Sequence, residues 1–289
     1  MRVTETRMIE MSTAGMTRAR EQAADAGQKL QTGVRVDRPS DDPAAWEQGM
    51  RADARAALSE RRGSAIAGAQ ARLAQTDGAL DGVGSVLSRV TELAVQLASG
   101  TYNASDRADA AKEVLALRDA ALASANSRGA DGEYILAGSR GASVPFDAAG
   151  AYSGDAAARQ IEAGEGQNQT VGVPGSVLTA AAGVDVFAVM QNVIDALQTN
   201  NVATLQTSIA DLRSSVAQVA DARAEVGGRM RALDTVEGAR QGFEQALAET
   251  KSRAVQIDPI AAASDFARTS AALDVARTIS QQIIAGIRR

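Results

Sequence analysis

The residues able to do chemistry are few in kind. The chain holds 35 Asp and Glu and 30 Lys and Arg, but neither Cys nor His. Thiolate nucleophiles, disulfides, thiolate or imidazole metal ligands and imidazole bases are therefore excluded. Carboxylate chemistry remains, and it is most concentrated at Ser40-Asp41-Asp42-Pro43. Paired carboxylates suit metal binding or acid–base work. They equally suit a helix start, where Asp42 accepts backbone N–H groups as N-cap and Pro43 occupies the first turn, whose N–H has no partner to lose. Negative charge is also favoured at that helix end. With no His and no third ligand nearby, capping is the reading adopted. Ser–Lys alternatives lack a recognisable motif. The glycines beyond Gly129 do not form the Gly-x-x-x-x-Gly-Lys-Ser/Thr loop that cradles phosphate. The sequence thus argues against an enzyme, and it calls for no cofactor and no metal.

The net charge of −5 gives no electrostatic footprint for nucleic acid. No run of 18 apolar residues exists, so no membrane span is expected. Between Met1 and Ala26, Arg2, Glu5, Arg7 and Glu10 interrupt any apolar core of a cleaved secretory signal. On that evidence alone the chain would stay in the cytoplasm.

The elements that hold these residues are helical. From Ile66 to Leu97 the positions Ile66, Ala69, Leu73, Thr76, Leu80, Val83, Leu87, Val90, Ala94 and Leu97 are spaced 3, 4, 3, 4 without a slip, and only Thr76 is polar. A 3.5-residue repeat of this length predicts a helix with one narrow stripe facing another helix. Leu205, Ile209, Leu212, Val216, Val219, Arg223, Val226, Met230 and Leu233 repeat the spacing, broken only by Arg223. The expectation is a seam in which Leu73, Leu80 and Leu87 meet Leu212, Val219, Val226 and Met230. The helices of a compact bundle are the alternative. Aromatics make up only 3% of the chain, which favours thin packing through small residues. A helix over 43–99 would approach about 85 Å, too long for a compact domain.

Outside the seam, the first thirty residues carry one weak stripe at Ile9, Met16, Ala23 and Leu30. Gly15 and Gly27 each weaken that helix by roughly 1 kcal/mol against Ala, so it needs a partner. Gly33 and Pro39 break the chain before Asp42. Ser105 is read as the next N-cap, opening a helix to near Asn126. Glycines and prolines then define a β-rich insertion over 129–184, with strand-like pieces at 134–137, 159–162 and 170–173. Helix resumes over 185–199 and from about Ala203 to Lys251. After Asp258-Pro259 a last helix carries Phe266, Leu273, Ile279, Ile283 and Ile287. The fold expected is mainly α with a β-rich insertion: an elongated rod of long antiparallel coiled-coil-like helices. Residues 43–128 and 185–251 make the rod, and 1–42 with 252–289 make the paired ends. Narrow apolar stripes at both ends suggest self-assembly through Ile9, Met16, Ala23, Leu30, Phe266, Leu273, Ile279, Ile283 and Ile287.

Several segments resemble one family. The opening Met1-Arg2-Val3-Thr4 is similar to its start. Gln28 to Gly33 followed by Arg35-Val36-Asp37-Arg38-Pro39-Ser40-Asp41-Asp42-Pro43 resembles its most specific motif. Asn126, Gly132 to Gly138, Pro145-Phe146, Gly228 to Leu233 and Asp265-Phe266-Ala267 resemble its later landmarks, although Leu136 and Ala137 stand where the family more often has Phe and Gly. The family is that of the bacterial flagellar hook-associated proteins in the flagellin superfamily, at the hook–filament junction. The resemblance implies a flagellin-like fold with terminal helices inside, long helices around them and the insertion projecting outward. It further implies export, unfolded and without a cleaved signal, through the flagellar type III channel, and a place outside the cell in one ring of copies. The implied partners are the chain itself, a hook-associated protein on the hook side, flagellin or another filament-side subunit, and an export chaperone around Ala263 to Ile287. A flagellin, or a coiled-coil adaptor with a β insertion, are the alternatives.

Overall fold

The computed structural model describes residues 2–164 and 166–287, with side chains at 2–5 and 287 outside that description. Among the described residues, six α-helices, one hairpin and a short 3-10 helix (Gly175–Leu178, between β2 and α4) follow in order: α1 (Arg2–Thr32), α2 (Pro43–Leu97), α3 (Ala104–Ala125), β1 (Gln160–Gly164), β2 (Gln167–Thr170), α4 (Val186–Gln198), α5 (Val202–Val255) and α6 (Pro259–Ile287). The described chain divides into two compact units, one holding residues up to Leu58 and from Gly242 onward, the other Ser59–Gln241.

In the Ser59–Gln241 unit, α2 and α5 lie antiparallel. Gln70 donates to Asp234 at 2.7 Å, and Arg223 pairs with Asp77 at 2.8 Å and with Asp81. All ten positions of the α2 stripe are buried, Thr76 included. On α5 the buried line is Leu205, Ser208, Leu212, Ser215, Val219, Ala222, Val226 and Leu233. It shares every second position with the expected stripe and departs at the others. Ile209, Val216, Arg223 and Met230 stand half-buried on its flank, while Ser208, Ser215 and Ala222 take the seam. The serines are tolerated because their hydroxyls donate to their own helix, Ser208 to the Thr204 carbonyl at 3.0 Å and Ser215 to that of Asp211 at 2.9 Å. Thr76 does the same to Arg72 at 2.9 Å. A hydroxyl satisfied one turn back leaves a small, effectively apolar side chain at the interface. Arg223, a break in the pattern, reaches across the rim of the seam to two carboxylates.

The helix ends of this unit follow from capping chemistry. Asn103, not Ser105, starts α3: its side chain accepts from the Asp106 N–H at 2.9 Å, and the Asp106 carboxylate accepts from the Asn103 N–H at 3.1 Å. Buried Arg107 reaches the end of α2, donating to the Leu97 carbonyl at 2.9 Å and that of Ser99 at 2.9 Å, and to the Asn200 side chain at 2.6 Å. A cation suits those unpaired carbonyls and the negative end of the helix.

The segment between α3 and α4 contains far less strand than its composition suggests. Its β structure is one antiparallel hairpin, β1 with β2, plus isolated bridges at Arg128–Tyr134 and Phe146–Tyr152. The expected strand at 134–137 is a run of turns around that first bridge. Order comes instead from a small core and from arginines. Phe146 packs at a tilt against Tyr152 and edge-on against Phe187, with ring centroids 5.1 Å apart in each pair. Four helix arginines hold the segment: Arg62 to Glu162, Arg72 to Asp131, Arg118 to the Ala148 and Ala149 carbonyls, and Arg229 to the Gly172 carbonyl. Gly150 is fixed by geometry, with φ at +90° and a would-be Cβ 2.4 Å from that of Phe187.

In the other unit, α1 and α6 pair antiparallel. The Gly33 carbonyl accepts from the Ile257 N–H at 3.0 Å, and a Cβ at Gly27 would come within 3.2 Å of the Phe266 ring. Gly27 therefore gives α6 room, which accounts for a helix breaker in mid-helix. The start of α2 and the end of α5 belong to the same unit, where Lys251 pairs with Asp53 at 2.7 Å.

Candidate assembly surface

Two features of the first unit carry the sequence-nominated residues: the connector from α1 to α2, and the α1–α6 pair. The connector is a lock. Arg35 and Val36 donate their backbone N–H groups to the Val255 carbonyl at 2.7 and 3.3 Å. The Arg35 guanidinium donates to the Ala254 carbonyl at 2.7 Å and to Asp42 at 3.1 Å. Val36 is buried with Ala45 and Ala254, against Trp46 and Val255. The end of α5 is thus capped by a cation brought from the other end of the chain.

The carboxylate pair is spent on backbone. Asp41 accepts from the Asp37 and Arg38 N–H groups at 3.1 and 2.9 Å, closing the turn that carries exposed Pro39 and Ser40. Asp42 accepts from the Ala45 N–H at 3.1 Å, and Pro43 opens α2. The Ala45 N–H and then the Arg35 guanidinium hold the Asp42 carboxyl below the usual range. This is the geometry of an N-cap.

The terminal helices have two apolar faces each. On α1, Ser12, Met16, Ala19, Ala23 and Ala26 are buried or half-buried on the side of α6, and Ile9 and Leu30 sit at its margins. On α6, Ala262, Thr269, Leu273, Ala276, Ser280 and Ile283 answer them, with Phe266 at the edge over Gly27. Most of the nominated stripe is therefore turned toward the partner helix. The exposed apolar side chains are mostly others: Met8 is 56% exposed, Met11 73%, Ile260 81%, Val275 59%, and Ile279 and Ile284 nearly half. Of the nominated residues only Ile279 is among these, and the side chain of Ile287 falls outside the described residues. Met8, Met11, Ile260 and Val275 escaped the sequence reading because they interrupt a heptad stripe rather than extend it. An isolated pair of helices has more than one side, and only the side facing its partner follows the repeat.

Comparison with known proteins places this arrangement. The model of the bacterial flagellin N-terminal helical region matches residues 5–140. Flagellar hook-associated protein 3 of Salmonella typhimurium is 27% identical to this chain, with 94% of each covered. The chain is similar to flagellar hook-associated protein 3 over nearly its whole length. The Escherichia coli protein of the same name is 26% identical, over 89% of this chain and 88% of its own. Among solved structures, a flagellar hook-associated protein from Vibrio parahaemolyticus superposes with a TM-score of 0.70 at 20% identity, covering 75% of this chain and all of its own. FlgL from Xanthomonas campestris superposes with a TM-score of 0.62 at 22% identity, covering 70% and 99%. At those identities the structures speak for the fold: long helices with a small β hairpin between them.

Proposed function

We propose that this chain is a structural subunit of the bacterial flagellum that joins hook to filament as one of a ring of identical copies. The observation that carries the proposal is the open apolar surface of the α1–α6 pair, in a chain whose curated relatives are named for the hook. An apolar face this exposed on a monomer marks a surface kept for association. A second copy lies beside it in the ring, a hook-associated protein meets it on the hook side, and flagellin or another filament-side subunit on the other. Export is unfolded, through the flagellar type III channel, with a chaperone covering the segment around Ala263 to Ile287 beforehand. A chain without Cys suits that route, since no disulfide can lock it before passage. The role is structural rather than catalytic, and the place of work is outside the cell.

The test is complementation of a strain lacking the protein. Wild-type chain restores motility, and the double variant Val275→Asp/Ile279→Asp is secreted but leaves filaments unattached. Full motility with that variant would overturn the assignment of the surface. Counting copies in purified flagella tests the place in the structure: a ring gives few copies per filament, and thousands would make the chain a filament subunit.

A further inference from the structure

With neither His nor Cys, the chain has no side chain that ordinarily titrates between about pH 5 and 8. On the alkaline side, Tyr152 stands at the centre of the small core between α3 and α4. Its ring packs against Phe146, which in turn meets Phe187 of α4. A Cβ at Gly175 would come within 2.6 Å of the Tyr152 ring, so the 3-10 helix lies directly on it. The hydroxyl reaches the Asp155 carbonyl at 2.8 Å and the Leu136 carbonyl at 3.1 Å, with one proton to donate between them. The Leu136 carbonyl also accepts from the Gly175 N–H at 2.7 Å. One O–H thus ties three stretches of chain together around buried Leu136, Ala137, Phe146 and Leu178. The charged groups beside it are the Asp155 carboxylate, which accepts from the Ser139 and Ala157 N–H groups at 2.8 and 3.1 Å, and Arg140, which donates to the Ser153 carbonyl at 3.3 Å. From the 3-10 helix the Gly175 and Ser176 N–H groups face the phenol oxygen. Burial, and then the Asp155 charge, disfavour the phenolate and outweigh those two donors, so Tyr152 keeps its proton above the usual tyrosine range.

We propose that Tyr152 is a base-sensitive latch: removal of its phenolic proton opens the core between α3 and α4 while α2 and α5 stay paired. Without that proton a negative oxygen faces two carbonyl oxygens, and the tie between Leu136 and Asp155 becomes a repulsion. In the opened segment the phenol ionises near its ordinary value of about 10, whereas in the closed one it holds its proton longer. The latch is therefore whole below about pH 10 and weakens as pH rises toward the higher folded value.

Because the chain has no Cys, a single introduced thiol reports opening without background. Ala137→Cys places it at a fully buried position of this core, and Ala94→Cys at a fully buried position of the α2 stripe. Purified full-length chain is alkylated with iodoacetamide from about pH 10 upward, where an exposed thiol is already thiolate and its own reactivity is constant. The rate at Ala137→Cys rises by up to about tenfold per pH unit and then levels off, and the rate at Ala94→Cys stays flat. Adding Tyr152→Phe removes the rise. A second measurement does not depend on that variant. Tyr102→Phe/Tyr134→Phe leaves Tyr152 as the sole tyrosine, and the ultraviolet absorbance of its phenolate gives a midpoint above the ordinary tyrosine value. A flat rate at Ala137→Cys, the same rise with Tyr152→Phe in place, or a midpoint at or below the ordinary value overturns the proposal. So does a rise at Ala94→Cys in step with Ala137→Cys, since the whole unit would then be unfolding.

Discussion

Leu80→Ala probes the seam where it is best defined. Leu80 is fully buried on α2, one turn from Gly84, which lies against Val219, and beside Asp77 and Asp81, which hold Arg223. Truncation removes three carbons from a site lined by two rigid helices. Nothing adjacent is free to collapse into the void, so the cost is that of a poorly relaxing core site, about 3–5 kcal/mol. With an m-value of roughly 2 kcal/mol/M in urea, the midpoint falls by about 1.5–2.5 M. The assay is equilibrium urea unfolding followed by circular dichroism. Two controls bound it. Leu80→Met conserves volume and costs under about 1.5 kcal/mol. Leu115→Ala, on an exposed stretch of α3, stays within about 0.5 kcal/mol. An unchanged midpoint and slope for Leu80→Ala would refute the burial of this position and with it the pairing of α2 with α5.

Further expectations concern single groups. Ser215→Ala stays within about 0.5 kcal/mol of wild type in the same titration, because the lost hydrogen bond is local, whereas Ser215→Leu overpacks the seam and destabilises by about 1–3 kcal/mol. Arg107→Met strands the buried Leu97 carbonyl at the end of α2 and lowers stability by about 1–3 kcal/mol, read as a drop in the urea midpoint. Asp42 is ionised more readily folded than unfolded, so its contribution is present above the ordinary carboxyl value and is lost as pH falls through the lower folded one. Asp42→Asn, which keeps an N-cap acceptor, accordingly flattens the stability–pH curve below about pH 4 and changes little at neutral pH.

The α2 stripe was legible because every buried position but one is apolar, so the repeat is visible letter by letter. The α5 stripe was half legible. Its large residues show, but Ser208 and Ser215 read as polar although their hydroxyls are satisfied inside the helix, and Ile209, Val216 and Met230 drew the eye to the flank. The region between α3 and α4 was least legible. Its glycines announce turns, but its order depends on Arg62, Arg72, Arg118 and Arg229, which arrive from distant helices and carry no local signature. The connector was readable as a cap and not as a lock, since nothing in Arg35 names Ala254 as its acceptor. Most of the residues expected at an assembly surface, Met16, Ala23, Leu273 and Ile283 among them, are turned toward the partner helix instead. Periodicity identifies the face that has a regular partner, and a face kept for later association need not repeat.

The tie between Arg35 and the Ala254 and Val255 carbonyls joins segments about 220 residues apart in the sequence. Its consequence concerns completeness. The helix α1 is weak alone, with glycines at 15 and 27, and its partner α6 comes only after α5 in the chain. A chain that stops short of α6 can still form the α2–α5 seam and the arginine-held insert. It cannot order its leading helix, and it cannot present the joint surface of the pair. Both helices must be present before either is ordered, so a chain cut before α6 loses the pair by the topology of the fold itself.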